Sequence, residues 1–117
     1  MMLEEQLVAL IRPLCPRVHP DFAPTNTLRP YVTFQQIGGV ALDFVDTTVP
    51  SKENAEVQVN VWAATRKEAK TLMKQIEVAL IQATAIDARP VSACASDFDA
   101  DMEVYGSRQD FSIWAER

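Results

Sequence analysis

Apolar residues recur along the chain with two distinct periods. Leu3, Leu7, Leu10, Ile11 and Leu14 stand at i, i+4, i+7, i+8 and i+11, which predicts one apolar stripe on a helix. Glu4 and Glu5 suit its N-terminal end and Arg12 its C-terminal end. Pro13 disfavours helical geometry at Arg12, so the helix should stop there. Residues 13–30 hold five of the chain's seven prolines. Without those N–H donors the segment cannot be a central strand, and it reads as a surface loop. Tyr31–Ile37 and Val40–Asp46 are rich in β-branched and aromatic residues, and Gly38-Gly39 between them predicts a hairpin. A polar loop is expected over 47–54.

The period of two is cleanest over Ala55–Ala63. Ala55, Val57, Val59 and Val61 alternate with Glu56, Gln58 and Asn60, and then Trp62 falls on the polar side. Thr65 and Glu68 have the spacing of a capping box. Ala69, Leu72, Met73, Ile76, Ala79, Leu80 and Ala83 then mark one helical face, a stripe of core residues. Two further strands are predicted. In the first, Phe98, Ala100, Met102 and Val104 alternate with Asp97, Asp99, Asp101, Glu103 and Tyr105. A turn follows at 106–108. In the second strand Phe111, Ile113 and Ala115 alternate with Asp110, Ser112, Trp114 and Glu116, so a second tryptophan lies on a polar side.

The resulting order, α-β-β-β-α-β-β, predicts an α+β fold. It is a mostly antiparallel sheet of about five strands with two helices packed on one face. Residues 1–117 are expected to form a single domain. Such an arrangement leaves the opposite sheet face uncovered by the chain's own helices.

Composition changes this picture little, with 48% hydrophobic and 23% charged residues. No apolar run approaches the roughly 20 residues that cross a bilayer. The start, MMLEEQLVALIRPLC, has early acids where a secretory signal needs positive charge, so a cytoplasmic site of synthesis is expected. Charge adds more. The net charge is −5, and four of those five charges fall within residues 96–117. A surface whose main task is holding nucleic-acid phosphates would be basic instead.

The candidate chemistry is sparse. Cys15 and Cys94 make no disulfide framework or metal motif, and His19 is the one histidine. Starting an EF-hand loop at Asp97 would put Met102 where glycine is needed and Arg108 where glutamate is needed. Four acids in a row on a strand would stretch over about 20 Å and could not converge on one ion. No Walker loop, GxGxxG, GxSxG or HExxH occurs. No catalytic, cofactor or metal residue is therefore assigned. Trp62 and Trp114 remain, two large apolar side chains expected on one polar face and open to pairing across strands. Something should cover them: the proline-rich loop, a second copy of the chain, or a different partner. With Tyr105 and Phe22 they are the interface candidates, and the acids would form the wet margin.

The stretches RPYVTFQQIGG (29–39), VQVNVWAATRKEAKTLMKQIEVAL (57–80) and RQDFSIWAE (108–116) resemble the tail completion proteins of long-tailed bacteriophages, a small tail-to-head joining, tail terminator-like family. RVHPDFAP (17–24) is similar to the family's Pro-containing segment before the first strand. The resemblance spans most of residues 17–116 and is weakest over 40–54 and 85–100. It implies an α+β structural subunit with no enzymatic activity and no cofactor. It also implies a homo-oligomeric ring at the head-proximal end of the tail tube, which ends tube growth and joins tail to head. The implied partners are further copies, the tail tube protein and the head connector. The implied location is the virion. DNA would pass through without specific binding, with Asp97, Asp99, Asp101 and Glu103 as candidate lumen-facing acids. The alternative is a small α+β ligand-binding or enzyme domain with a pocket near the 13–30 loop and His19.

Overall fold

The computed structural model describes residues 2–117. Its elements are α1 (Leu3–Ile11), β1 (Val18–Pro20), β2 (Tyr31–Gly38), β3 (Lys52–Ala63), α2 (Arg66–Gln82), β4 (Asp87–Pro90), β5 (Ala95–Asp99) and β6 (Val104–Glu116). The clean alternation of Ala55–Ala63 becomes the middle of the sheet. β3 pairs antiparallel with β6 over its whole length, from Lys52 opposite Glu116 to Ala63 opposite Tyr105. β2 lies on the other side of β3, with Tyr31 opposite Trp62. On the far side of β6, β4 and β5 follow one another along a single edge. β4 faces residues 111–114 and β5 faces residues 104–108.

The fold class is α+β as read from the pattern, with three strands between the helices. The sheet differs in detail: it has six strands and is mixed, because β1 pairs parallel with β2. Parallel neighbours cannot be joined by a hairpin, and the chain must cross a sheet face to return. Residues 21–30 make that crossing. A three-residue strand ending in Pro20 is tolerated because β1 is an edge strand.

Both helices pack on one face. Leu3, Leu7 and Ile11 of α1, and Ala69, Leu72, Met73, Ile76 and Leu80 of α2, share one core cluster with Val32, Phe34, Val57, Val59, Val61, Phe111 and Ile113. α1 ends at Ile11, one residue before the stop expected from Pro13. α2 begins where the capping spacing puts it, with the Thr65 hydroxyl accepting the Glu68 N–H at 3.1 Å. Thr65→Ala is expected to cost about 1 kcal/mol, seen as a lower urea midpoint at unchanged slope.

Two hairpins expected from glycine positions are not present. Val40–Asp46 forms no strand, and β2 pairs instead with β3, leaving residues 39–51 as a long exposed connection. Gly39 is needed for a close backbone approach. A Cβ there would sit 2.5 Å from the Asn54 carbonyl oxygen, at a φ of +153°. Likewise the 106–108 stretch is strand, and the reversal falls at 100–103. The Asx geometry of Asp99 makes that turn, its Oδ1 accepting the N–H groups of Asp101 (3.0 Å) and Met102 (3.2 Å).

The new turn position resets the strand faces. Tyr105 pairs with Phe98 and Ala63 on the helix side of the sheet, not with the acids as its alternation implied. Its ring meets that of Phe98 at 4.8 Å between centroids, tilted by 47°. Val104 moves to the opposite face, paired with Asp99.

Gln109 takes a core-facing position on β6 and is buried. Its amide N–H group donates to the Glu77 carboxylate on α2 and, at 2.9 Å, to the Ser92 carbonyl. This ties the link between β4 and β5 to the helix, so the broken edge is held from beneath.

Candidate functional site

The face of the sheet away from the helices is built in cross-strand rows. Tyr31, Trp62 and Gly106 share one row, and Thr33, Asn60 and Arg108 the next. Gln35, Gln58 and Asp110 follow, and Asn54 with Trp114 lies near the other end. The rows are mostly uncharged amides and hydroxyls, stitched by bonds such as Asn54 Nδ2 to Ser112 Oγ at 3.1 Å.

Trp62 is half-buried and lies over Gly106. A Cβ on that glycine would approach the indole Cζ3 to 2.7 Å. The missing side chain is the space the ring occupies. The crossing segment 21–29 rises beside this ring and walls a cleft of about 970 Å³, with Tyr31, Thr33, Asn60, Trp62 and Val104 along its floor. The Arg29 guanidinium closes one end, donating to the carbonyls of Met102 (2.6 Å) and Glu103 (3.1 Å) in the β5–β6 turn. Burial raises the Tyr31 phenol above its ordinary range; Arg29 opposes this and Asp99 adds to it. The phenol is therefore neutral at neutral pH, a hydrogen-bonding group without charge. Phe22 stands on the crossing segment at the cleft, 77% exposed.

Trp114 occupies a separate place. It sits between Asn54 of β3 and Asp87 of β4, half-exposed. Eight positions along β6 separate it from the Trp62 row, about 27 Å at strand rise. The two indoles share a face but are not neighbours. The proline-rich loop shares in the surroundings of Trp62, and Trp114 is not part of that cleft.

The acidic row is also broken. Asp97 and Asp99 lie on β5, while Asp101 and Glu103 lie in the turn, where Glu103 takes a φ of +52°. The acids therefore bend around one end of the sheet. Among the described residues no three His, Cys, Asp or Glu side chains group as a metal would require. Cys15 is buried beneath the proline-rich segment and Cys94 is half-buried against the Ser107 hydroxyl. His19 pairs with Thr33 in register and is not part of the cleft.

Sequence reasoning missed two features. Met102 and Val104 join Trp62 in the cleft because the turn falls at 100–103, and Leu28 joins it from the crossing segment. The connection 39–51 exposes Val40, Leu42, Phe44, Val45 and Val49. The signal for it was present, since an apolar alternation over 40–44 without a partner strand must either find one or stay in water.

In comparisons with known proteins, a family model described as Tail completion protein gp17 matches residues 3–116. No curated protein matches the chain. The family match runs from α1 through β6, so it includes the outer face, the cleft and the exposed connection.

Proposed function

The chain belongs to the tail completion protein gp17 family of bacteriophages, and from that membership we propose that copies of it form a ring at the head-proximal end of the tail tube. The ring ends tube growth and joins tail to head. A structural role in the phage tail, and a place in the virion tail, follow from the family itself. The ring's partners are its own copies, the tail tube protein and the head connector. It carries out no catalysis. No described helix is long and apolar enough to span a membrane.

The match over residues 3–116 carries this reading. The surface supports it. Half-exposed indoles on an amide-rich sheet face suit protein contacts, since tryptophan is favoured at interface centres and carboxylates are not. The acids bent around the β5–β6 turn suit a wall that repels phosphates, so DNA passes without being held. A ligand-binding reading draws on the cleft beside the 13–30 loop. However, His19 is absent from its lining and the Arg29 guanidinium is already engaged by two carbonyls.

Electron microscopy of particles made without this protein tests the proposal. Filled heads lying apart from tails are expected, and normally joined virions would overturn it. Trp114→Ser separates assembly from folding. Its thermal midpoint should move by only a few degrees, as for other changes outside the core, while joining of heads to tails falls at least about tenfold.

A further inference from the structure

We propose that residues 39–51 form an arm that docks into the Trp62 cleft of a second copy, an assignment that rests on the ring reading above and names its subunit contact.

Arm and cleft complement each other chemically. Val40, Phe44, Val45 and Val49 are between 48 and 105% exposed, an unusual density of apolar side chains in water for one connection. The arm is not shapeless. Its base is held by the Val40 N–H donating to Asn54 Oδ1 at 2.8 Å. Its tip is turned by the Thr47 N–H donating to the Phe44 carbonyl at 3.0 Å and the Thr48 N–H donating to Asp46 Oδ1 at 3.0 Å. This local bonding presents Phe44 and Val45 at the apex. The cleft offers Leu28 and Met102 as apolar walls over a neutral floor that includes Trp62.

The two do not meet within one chain. The arm leaves the sheet beside Asn54, and Trp62 lies eight positions further along β3, about 27 Å away. A thirteen-residue loop doubled back on itself reaches at most about 22 Å, short of Trp62, and no residue of 39–51 lines the cleft. Within a molecule 53 Å long, arm and cleft therefore serve different neighbours. A contact between two different patches repeats in one direction and closes into a ring when the rotation allows. Both surfaces are net acidic, with Asp43 and Asp46 on the arm and Asp21 and Asp99 against Arg29 at the cleft. Charge does not draw them together, and the attraction comes from apolar burial.

Phe44→Cys and Leu28→Cys test this together in a Cys94→Ser background, with the buried Cys15 left in place. Both new thiols replace exposed side chains, and an unchanged thermal midpoint checks the fold. Mild oxidation of isolated tails carrying the double variant should give a ladder of disulfide-linked multimers, and either single variant should give none. Phe44→Asp should leave the thermal midpoint in place and reduce incorporation into tails at least about tenfold. Rings visible on tails without a ladder, or Phe44→Asp copies incorporated normally, would overturn the arm assignment and leave the ring standing. Tails that carry the protein in no ring at all would overturn both.

Discussion

Phe111→Ala is expected to lower stability by about 3–5 kcal/mol, the range for deleting a buried phenylalanine ring. Phe111 is the largest fully buried side chain of the core. It sits on β6 opposite Val57, and it is flanked on the same strand face by Gln109 and Ile113. Its strand is paired on both edges there, with β3 on one side and Pro90 of β4 on the other. The backbone around the site therefore has little freedom to collapse into the space left behind, which favours the upper part of the range. Domains of this size hold only about 5–15 kcal/mol in total, so the variant should lose at least about a fifth of its stability. Urea unfolding checks this: the midpoint should fall with the slope preserved. A loss below about 1 kcal/mol would mean that the core closes over the cavity and that the sheet is less fixed than its pairing implies.

Gly106→Val should be the next most damaging change, at about 1–3 kcal/mol, the usual cost of overpacking. The cause is specific. The new Cβ would meet Trp62 Cζ3 at 2.7 Å and Cε3 at 3.0 Å, and an indole ring cannot bend away as a flexible chain end could. The ring must lift, and with it the floor of the cleft. Trp62→Ala removes the obstacle, so the double variant should be more stable than the two single losses added together. That non-additivity is the measurement, made as a double-mutant cycle in urea. Simple additivity would show that the ring does not depend on the bare glycine. The same variant should impair docking into the cleft, whereas Phe111→Ala acts through the fold alone.

These two positions differ in how they could be read from the chain. Phe111 is apolar in an alternating strand, and its burial follows from local pattern. Gly106, followed by serine and a charged residue, carries a turn signal in the sequence. Its actual role, space for an indole from the adjacent strand, depends on the register that places Trp62 opposite. Gly39, beside Gly38, suits a two-residue turn through its freedom at positive φ, and it serves a close pass by Asn54. In both cases glycine's local meaning was recognised, but the neighbour that required it lies on another strand.

The candidate surface divides in the same way. Trp62 and Trp114 were placed on the outer face from alternation alone, and they lie there. Their separation was not legible, because distance between residues on different strands is set by register. Tyr105 lies on the opposite face from the one its alternation predicts, because the turn falls at 100–103.

Local periodicity sets α1, the stripe of α2 with its Thr65 cap, the alternation of β3 and the second half of β6, and hence the α+β class. Each is a contest settled among residues a few positions apart, where helical or strand geometry aligns an apolar face. Long-range pairing settles that β3, rather than residues 40–46, pairs with β2, that β1 runs parallel to β2, and that the crossing segment rises beside Trp62 to make a cleft. Strand partners compete across the whole chain for the same edge hydrogen bonds and the same core. The winner is the pairing that buries the most apolar surface, a quantity no short stretch contains.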